Sequence, residues 1–254
     1  MELSRDQKAE FYRQGFILLP GIVPLELVER ALWAINNSLG WQGLPPDRIA
    51  TYNSQSFCPE LRHDPAILNL FKETPLPGVA EALTQPGRIF PVGDDGQIAL
   101  RFPRQRTPDY ELHPHLDGMY TPLNGVPEGK ILSFTALVGV FLSDIPHEEM
   151  GNLTVWPGSH HRFEAYFKEH GPAKLLEGMP PIDLGEPLQI KAKAGDAILA
   201  HYQLAHAVGP NFSPYIRYAT FFRLMTESHN DYGLNILTDI WKEWEGLQEF
   251  VERK

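Results

Sequence analysis

From about Gly87 onward the chain is a succession of short apolar runs cut apart by glycine and proline. That texture limits its folds more than any other feature. The runs are "RIFPVG", "GQIALRFP", "KILSFTALVGVFLSDI", "GNLTVWPGS", "PLQIKAKAGDAILAHY" and "YIRYATFFRL". Such spacing predicts short strands in an all-β sandwich or barrel rather than a parallel α/β sheet. The N-terminal part reads differently. Ser4 and Gln7 have capping-box spacing, with Ala9, Phe11 and Tyr12 on one helical face, which predicts a helix from about Arg5 to Gln14 stopped by Gly15. "FILLPG" predicts a short strand. "VPLELVERALWAINNSLG" predicts a second helix, with Pro24 in its first turn, Gly40 at its end and an apolar stripe of Leu25, Val28, Ala31, Leu32 and Ile35. Helical patterns return in "HRFEAYFKEHG" and in the C-terminal "LTDIWKEWEGLQEFVERK". With no internal repeat and no Ser/Gly-rich linker, residues 1–254 are expected to form one domain.

Composition narrows the partners. The chain is 43% hydrophobic, enough for a sizeable core. Its formal net charge is −10 and no stretch concentrates Lys or Arg, which argues against nucleic acid and against an anionic membrane surface. No apolar run approaches the ~20 residues of a membrane span. The polar start, "MELSRDQKAEFYRQGF", lacks the apolar core of a signal peptide, so a cytoplasmic location is expected. Cys58 is the single cysteine, so no intrachain disulfide forms, and a reducing compartment with a plain buried thiol is the natural reading. Oligomeric state is left open.

The chemistry concentrates in "LHPHLDGMY", where His113, His115 and Asp117 alternate. In a strand, side chains two apart share a face, and each of these residue types ligates divalent metals. Three readings compete. All three residues together would open a binuclear zinc hydrolase motif, but Gly118 stands where a further histidine is needed, and the strand pattern is wrong for that fold. A cupin-like H-x-H needs a glutamate close behind, and the first is Glu128. The third takes His115 and Asp117 as H-x-D and a distant histidine as third ligand. That is the 2-His-1-carboxylate triad of non-haem iron oxygenases. Both His201 and His206 lie in a suitable late strand region.

In that region the sequence resembles the phytanoyl-CoA dioxygenase family of iron(II)/2-oxoglutarate oxygenases. The shared features are "HLD", "MGNLTVWPGSH", "AGD" before a strand, and "HAVGPNFSPYIR"; "GFILLPGIV" is also similar to that family's N-terminus. The resemblance implies a mainly β (α+β) fold, a double-stranded β-helix (jelly-roll) core with flanking N- and C-terminal helices. It implies His115, Asp117 and His206 as ligands of Fe(II). It also implies Arg217, eleven residues after His206, as the anchor of the 2-oxoglutarate carboxylate. A guanidinium suits that task because its planar fork meets a carboxylate bidentately and stays charged when buried. The implied reaction consumes 2-oxoglutarate and O2, releases succinate and CO2, and oxidises an unactivated C–H bond of a small-molecule substrate. Relatives that halogenate carry Ala or Gly in place of the carboxylate, so Asp117 points to hydroxylation or another oxidative outcome. Val208 and Leu116 depart from the family's usual hydroxyl residue and glutamine. A relative that binds metal or metabolite without turnover is the alternative of a different class.

Other positions follow from parity. In "GQIALRFP", Ile98, Leu100 and Phe102 should pack on the helices. Gln97, Ala99 and Arg101 would then look into the barrel, with Arg101 near the co-substrate and Gln97 near the substrate. Ser133, Thr135 and Gly139 share a small-residue face that suits a pocket wall, making Thr135 a second co-substrate candidate. Tyr120 and Trp156 are candidate substrate contacts. His113, His201 and His160 are expected to support the site or a loop rather than ligate.

Overall fold

The computed structural model describes residues 2–85, 89–106 and 111–251; Gly87, where the sequence texture changes, lies outside them. Among the described residues the α-helices are α1 (Arg5–Gln14), α2 (Leu25–Gln42), α3 (Ile49–Ser54), α4 (Pro65–Lys72), α5 (Leu76–Leu83), α6 (Ser159–His170) and α7 (His229–Tyr232). The strands are β1 (Phe16–Leu19), β2 (Ile89–Pro91), β3 (Gln97–Arg101), β4 (Ala136–Phe141), β5 (Leu153–Val155), β6 (Leu188–Gln189), β7 (Ala197–His201), β8 (His206–Val208) and β9 (Arg217–Thr226). They form two antiparallel sheets. The larger runs β1-β7-β4-β9-β2 with β3 also on β9, and the smaller runs β6-β5-β8.

Alternation along the strands builds two cores. Ile98, Leu100, Val138, Val140, Leu199, Phe222 and Leu224 turn one face of the large sheet toward buried residues of α1, α2, α4 and α5. Ala99, Leu137, Ile198, Ala219 and Phe221 turn the other face toward Leu153, Val155 and Ala207 of the small sheet. This is a jelly-roll sandwich with helices covering its outer side.

The capping box at Ser4 and Gln7 is present, and Gly15 closes α1 in the left-handed conformation. The second helix continues past Gly40 to Gln42 and is capped by Gly43 at φ 69°, while Pro24 stands at its N-cap rather than in its first turn. Glycine inside a helix costs only about 1 kcal/mol, which packing overrides. The C-terminal segment is not the long helix its periodicity predicts. In its described part, up to Val251, the regular structure is a short 3-10 turn at Glu245–Leu247; the four-residue α7 and a 3-10 turn at Gly233–Leu237 come just before. Trp241 and Trp244 are drawn instead onto Phe11, Tyr12 and His201. Cys58 is buried, and burial pushes its thiol pKa up.

Burial of histidine here has a pH consequence. His201 is 4% exposed, and burial lowers its pKa to about 3. Burial and the neighbouring His201 lower that of His160 as well. Between pH 6.5 and 3 the unfolded chain therefore binds protons that the folded chain refuses, so stability rises with pH across that window and falls on acidification. For His201 alone the loss by pH 5 is about 2 kcal/mol. Thermal melts at pH 8 and pH 5 should show a drop of several degrees that His201→Gln reduces. Equal slopes in the two proteins would refute this origin.

Candidate metal centre

His115 sits on an isolated antiparallel bridge to His206, with hydrogen bonds running both ways between the two backbones (2.9 and 3.1 Å). That bridge extends the small sheet beyond β8 and sets the two imidazoles 4.5 Å apart, centroid to centroid. Two residues on, Asp117 returns to the same side. Its Oδ1 is 3.5 Å from His115 Nε2 and 3.5 Å from His206 Nε2. One donor atom from each residue lies within 4.8 Å of the others. Among the described residues this is the one group of three such donors.

The surroundings aim these atoms. His206 Nδ1 bonds the Leu204 carbonyl at 3.0 Å, and the His115 ring is hydrogen-bonded to the His113 backbone. Backbone contacts of this kind hold a ligating ring's orientation and tautomer. Asp117 is followed by Gly118 at φ 83°, where a Cβ would meet the Leu132 carbonyl oxygen at 2.1 Å. Glycine is therefore required for the turn after the carboxylate.

Electrostatics keep Asp117 ionised. Burial alone would raise its pKa. The Arg223 guanidinium and the hydrogen bonds from His115 and His206 reverse that and hold it well below the usual carboxylate range. Burial and the charge of His206 lower the pKa of His115. Burial also acts to lower His206, but the Asp117 carboxylate outweighs it and the net shift is upward.

These donors open into a cavity of about 850 Å³ between the sheets. Its walls include Gln97, Ala99 and Arg101 from β3, Leu137 from β4, Leu153 from β5, Val208 from β8, and Phe221 and Arg223 from β9. The parity expected for "GQIALRFP" thus holds, with Ile98 and Leu100 on the helix side. His113 is exposed and also lines this cavity, but stays outside the donor trio. A second cavity of about 830 Å³, beside Trp33 and Trp41 between α2 and α4, contains none of the donors.

Arg217 begins β9 opposite Arg101 and is 3% exposed. It shares a strand face with Phe221 and Arg223 but is buried beside Arg101, not on the cavity surface. Its Nε donates to the Gly151 carbonyl at 2.8 Å and its Nη1 to the Ala99 carbonyl at 3.0 Å, while Nη2 is buried without a partner. Burial and the charge of Arg101 both oppose its positive charge. An anion at Nη2 would relieve both. The "NFS" stretch shapes the approach to this arginine. Asn211 donates to the Arg101 and Tyr215 carbonyls, both at 2.7 Å, and accepts from Ser213.

This geometry alters several expectations. The Thr135 hydroxyl faces Glu243 (3.1 Å) and the Thr226 amide, in a buried network with His229, and so does not line the cavity. Ser133 joins that network through His229 rather than forming a pocket wall. Trp156 is 6% exposed and packs in the core between the sheets, and Tyr120, 39% exposed, is not among the residues lining the cavity. His201 donates to the Ile240 carbonyl and stacks on Trp244, which pins the C-terminal segment. Conversely, Arg223 went unnoticed in the sequence, although strand parity with Arg217 marks it.

Solved structures of the same architecture are found at low sequence identity. HygX from Streptomyces hygroscopicus, with nickel and 2-oxoglutarate bound, is 18% identical with a TM-score of 0.59, and the match covers 89% of this chain and 88% of that one. The non-heme alpha-ketoglutarate-dependent carbocyclase SnoK from nogalamycin biosynthesis is 21% identical (TM-score 0.52; 88% and 84% covered). The non-heme monooxygenase ThoJ in a nickel complex is also 21% identical (TM-score 0.52; 87% and 77% covered). These likenesses establish the fold. No curated protein matches the chain in sequence. The family profile for phytanoyl-CoA dioxygenase (PhyH) does match, from residue 11 to residue 219. That span takes in the paired histidines, the carboxylate and Arg217, and the chain belongs to this family.

Proposed function

We propose that this protein is a non-haem iron(II)/2-oxoglutarate-dependent oxygenase in which His115, Asp117 and His206 hold the metal and Arg217 anchors the co-substrate. The observation that carries this reading is the convergence of two imidazoles and one ionised carboxylate on a single point of a cavity wall. Such a donor set suits a ferrous ion and leaves coordination positions free. The unpartnered, buried Nη2 of Arg217 is the complementary observation, because a carboxylate there satisfies it. When bound, the metal would supply oxidising chemistry in which 2-oxoglutarate is decarboxylated to succinate and CO2, one oxygen atom of O2 entering succinate and the other the substrate.

The chain's own residues do the rest. His115 and His206 present Nε2 to the metal because backbone groups occupy their other ring nitrogens. Arg217 grips the far carboxylate of 2-oxoglutarate, with Arg101 beside it adding positive charge. Leu137, Leu153, Val208 and Phe221 give the cavity an apolar wall that excludes water and orients one C–H bond of the substrate. A cavity of this size takes a small molecule. Hydroxylation is the expected outcome, and Gln97 and Arg101 stand on the cavity wall near polar groups of the substrate. We place the enzyme in the cytoplasm as one catalytic unit over residues 1–254. A net charge of −10 makes nucleic acid an unsuitable partner. No helix among the described residues is long and apolar enough to cross a membrane.

Gly151 offers a probe of the arginine pair. At φ 76°, a Cβ there would stand 2.8 Å from Arg101 Cβ and 3.3 Å from Arg217 Cβ. Gly151→Ala should cost roughly 1–2 kcal/mol in backbone strain. It should also raise the KM for 2-oxoglutarate roughly tenfold, equivalent to about 1.4 kcal/mol. Steady-state kinetics with 2-oxoglutarate as the varied substrate would read this, and an unchanged KM would count against the placement of Arg217.

The test of the function itself is uncoupled turnover. Iron-loaded protein in air should convert 2-oxoglutarate slowly to succinate even without its substrate, and faster with a substrate found by panel screening. Complete absence of succinate across a broad panel would favour a non-catalytic, metabolite-binding protein.

A further inference from the structure

Arg223 reaches Asp117 from the side opposite the histidines. Its Nε and Nη2 both donate to Asp117 Oδ2, at 3.0 and 2.7 Å, and its Nη1 donates to Gln97 Oε1 at 2.9 Å. The guanidinium also lies 5.8 Å from the centroid of the Phe134 ring. Three donors of a planar fork are thereby committed to two acceptors, so its orientation is fixed by strand β3 as well as by its own strand β9. The two carboxylate oxygens of Asp117 are consequently unequal. Oδ2 is taken by Arg223, while Oδ1 is the oxygen that approaches the two Nε2 atoms, at 3.5 Å each.

We propose that Arg223 is a positioning residue that keeps Asp117 a one-oxygen metal ligand. The inference rests on the iron(II)/2-oxoglutarate reading above. Two imidazoles and one carboxylate oxygen fill three of six octahedral positions and leave three for the co-substrate and O2. A carboxylate free to rotate can chelate through both oxygens and take a fourth. Arg223 prevents this by holding Oδ2 with two charge-assisted hydrogen bonds. Gln97 acts by fixing the arginine.

The test uses cobalt(II) as a spectroscopic stand-in in the full-length protein, comparing wild type, Arg223→Met and Arg223→Lys. Before any 2-oxoglutarate is added, Co(II)-loaded Arg223→Met should give visible absorption distinct from wild type, because its carboxylate ligand has changed. Its dissociation constant for 2-oxoglutarate should then be about 10- to 100-fold larger. Arg223→Lys, which keeps the charge with fewer fixed donors, should fall between. Circular dichroism would verify that each variant is folded. A Co(II) spectrum in Arg223→Met identical to wild type would overturn the proposal, even if 2-oxoglutarate binding weakened. Wild-type protein that takes up no Co(II) at all would instead refute the functional reading on which the proposal stands.

Discussion

His206→Ala is expected to lose metal binding, whereas His201→Gln keeps one metal per chain. The two histidines are five residues apart, yet their settings are opposite. His206 is part-buried at the cavity, with Nε2 free to face Asp117 Oδ1. His201 is enclosed, with Nε2 on the Ile240 carbonyl and Nδ1 accepting from the Gln203 amide. Residues that only support a ligand are worth about 10- to 100-fold in metal affinity, so removal of a ligand should exceed the upper end of that range. His201→Gln should instead lower thermal stability, since it loosens the contacts to Trp241 and Trp244. Calorimetric titration with Ni(II) separates the two. Retained stoichiometric binding in folded His206→Ala would remove this residue from the ligand set.

The second large effect is at Arg217. Arg217→Met should weaken 2-oxoglutarate binding to the Ni(II)-loaded protein by roughly 10- to 100-fold. That range follows from about 1.5–3 kcal/mol for one hydrogen bond to a charged group and tenfold per 1.4 kcal/mol. The same change strips donors from the Gly151 and Ala99 carbonyls, so some loss of stability accompanies it. Arg217→Lys keeps the charge but not the planar fork, and should recover part of the affinity. Metal affinity should be nearly unaffected in both. Unchanged 2-oxoglutarate affinity in Arg217→Met would show that another group, such as Arg101, anchors the co-substrate.

What the sequence made legible follows the range over which its rules act. Period-2 alternation sorted Gln97, Ala99 and Arg101 from Ile98 and Leu100, because β3 is regular along its length. The same rule fails between His201 and His206, where the chain leaves β7 of the large sheet and enters β8 of the small one. There the family resemblance separated the two. Helical periodicity at the C-terminus gave way to tertiary packing, as Trp241 and Trp244 fill the space around His201 and Phe11. Thr135 was misplaced because a small-residue face reads like a pocket wall. Its actual partners, Glu243 and Thr226, are remote in sequence. No helix is expected from the sequence where α3, α4 and α5 form. Arg223 lay within reach of parity, but nothing local ties it to Asp117, 106 residues away.

The central claim is that His115, Asp117 and His206 hold one ferrous ion open to 2-oxoglutarate. Anaerobic titration of the Fe(II)-loaded protein with 2-oxoglutarate tests it most directly. A visible charge-transfer band should rise and saturate at one equivalent per chain, and it should be absent from His206→Ala. No band in wild type, together with tight uptake of two zinc ions, would contradict this account in favour of a hydrolytic metal centre.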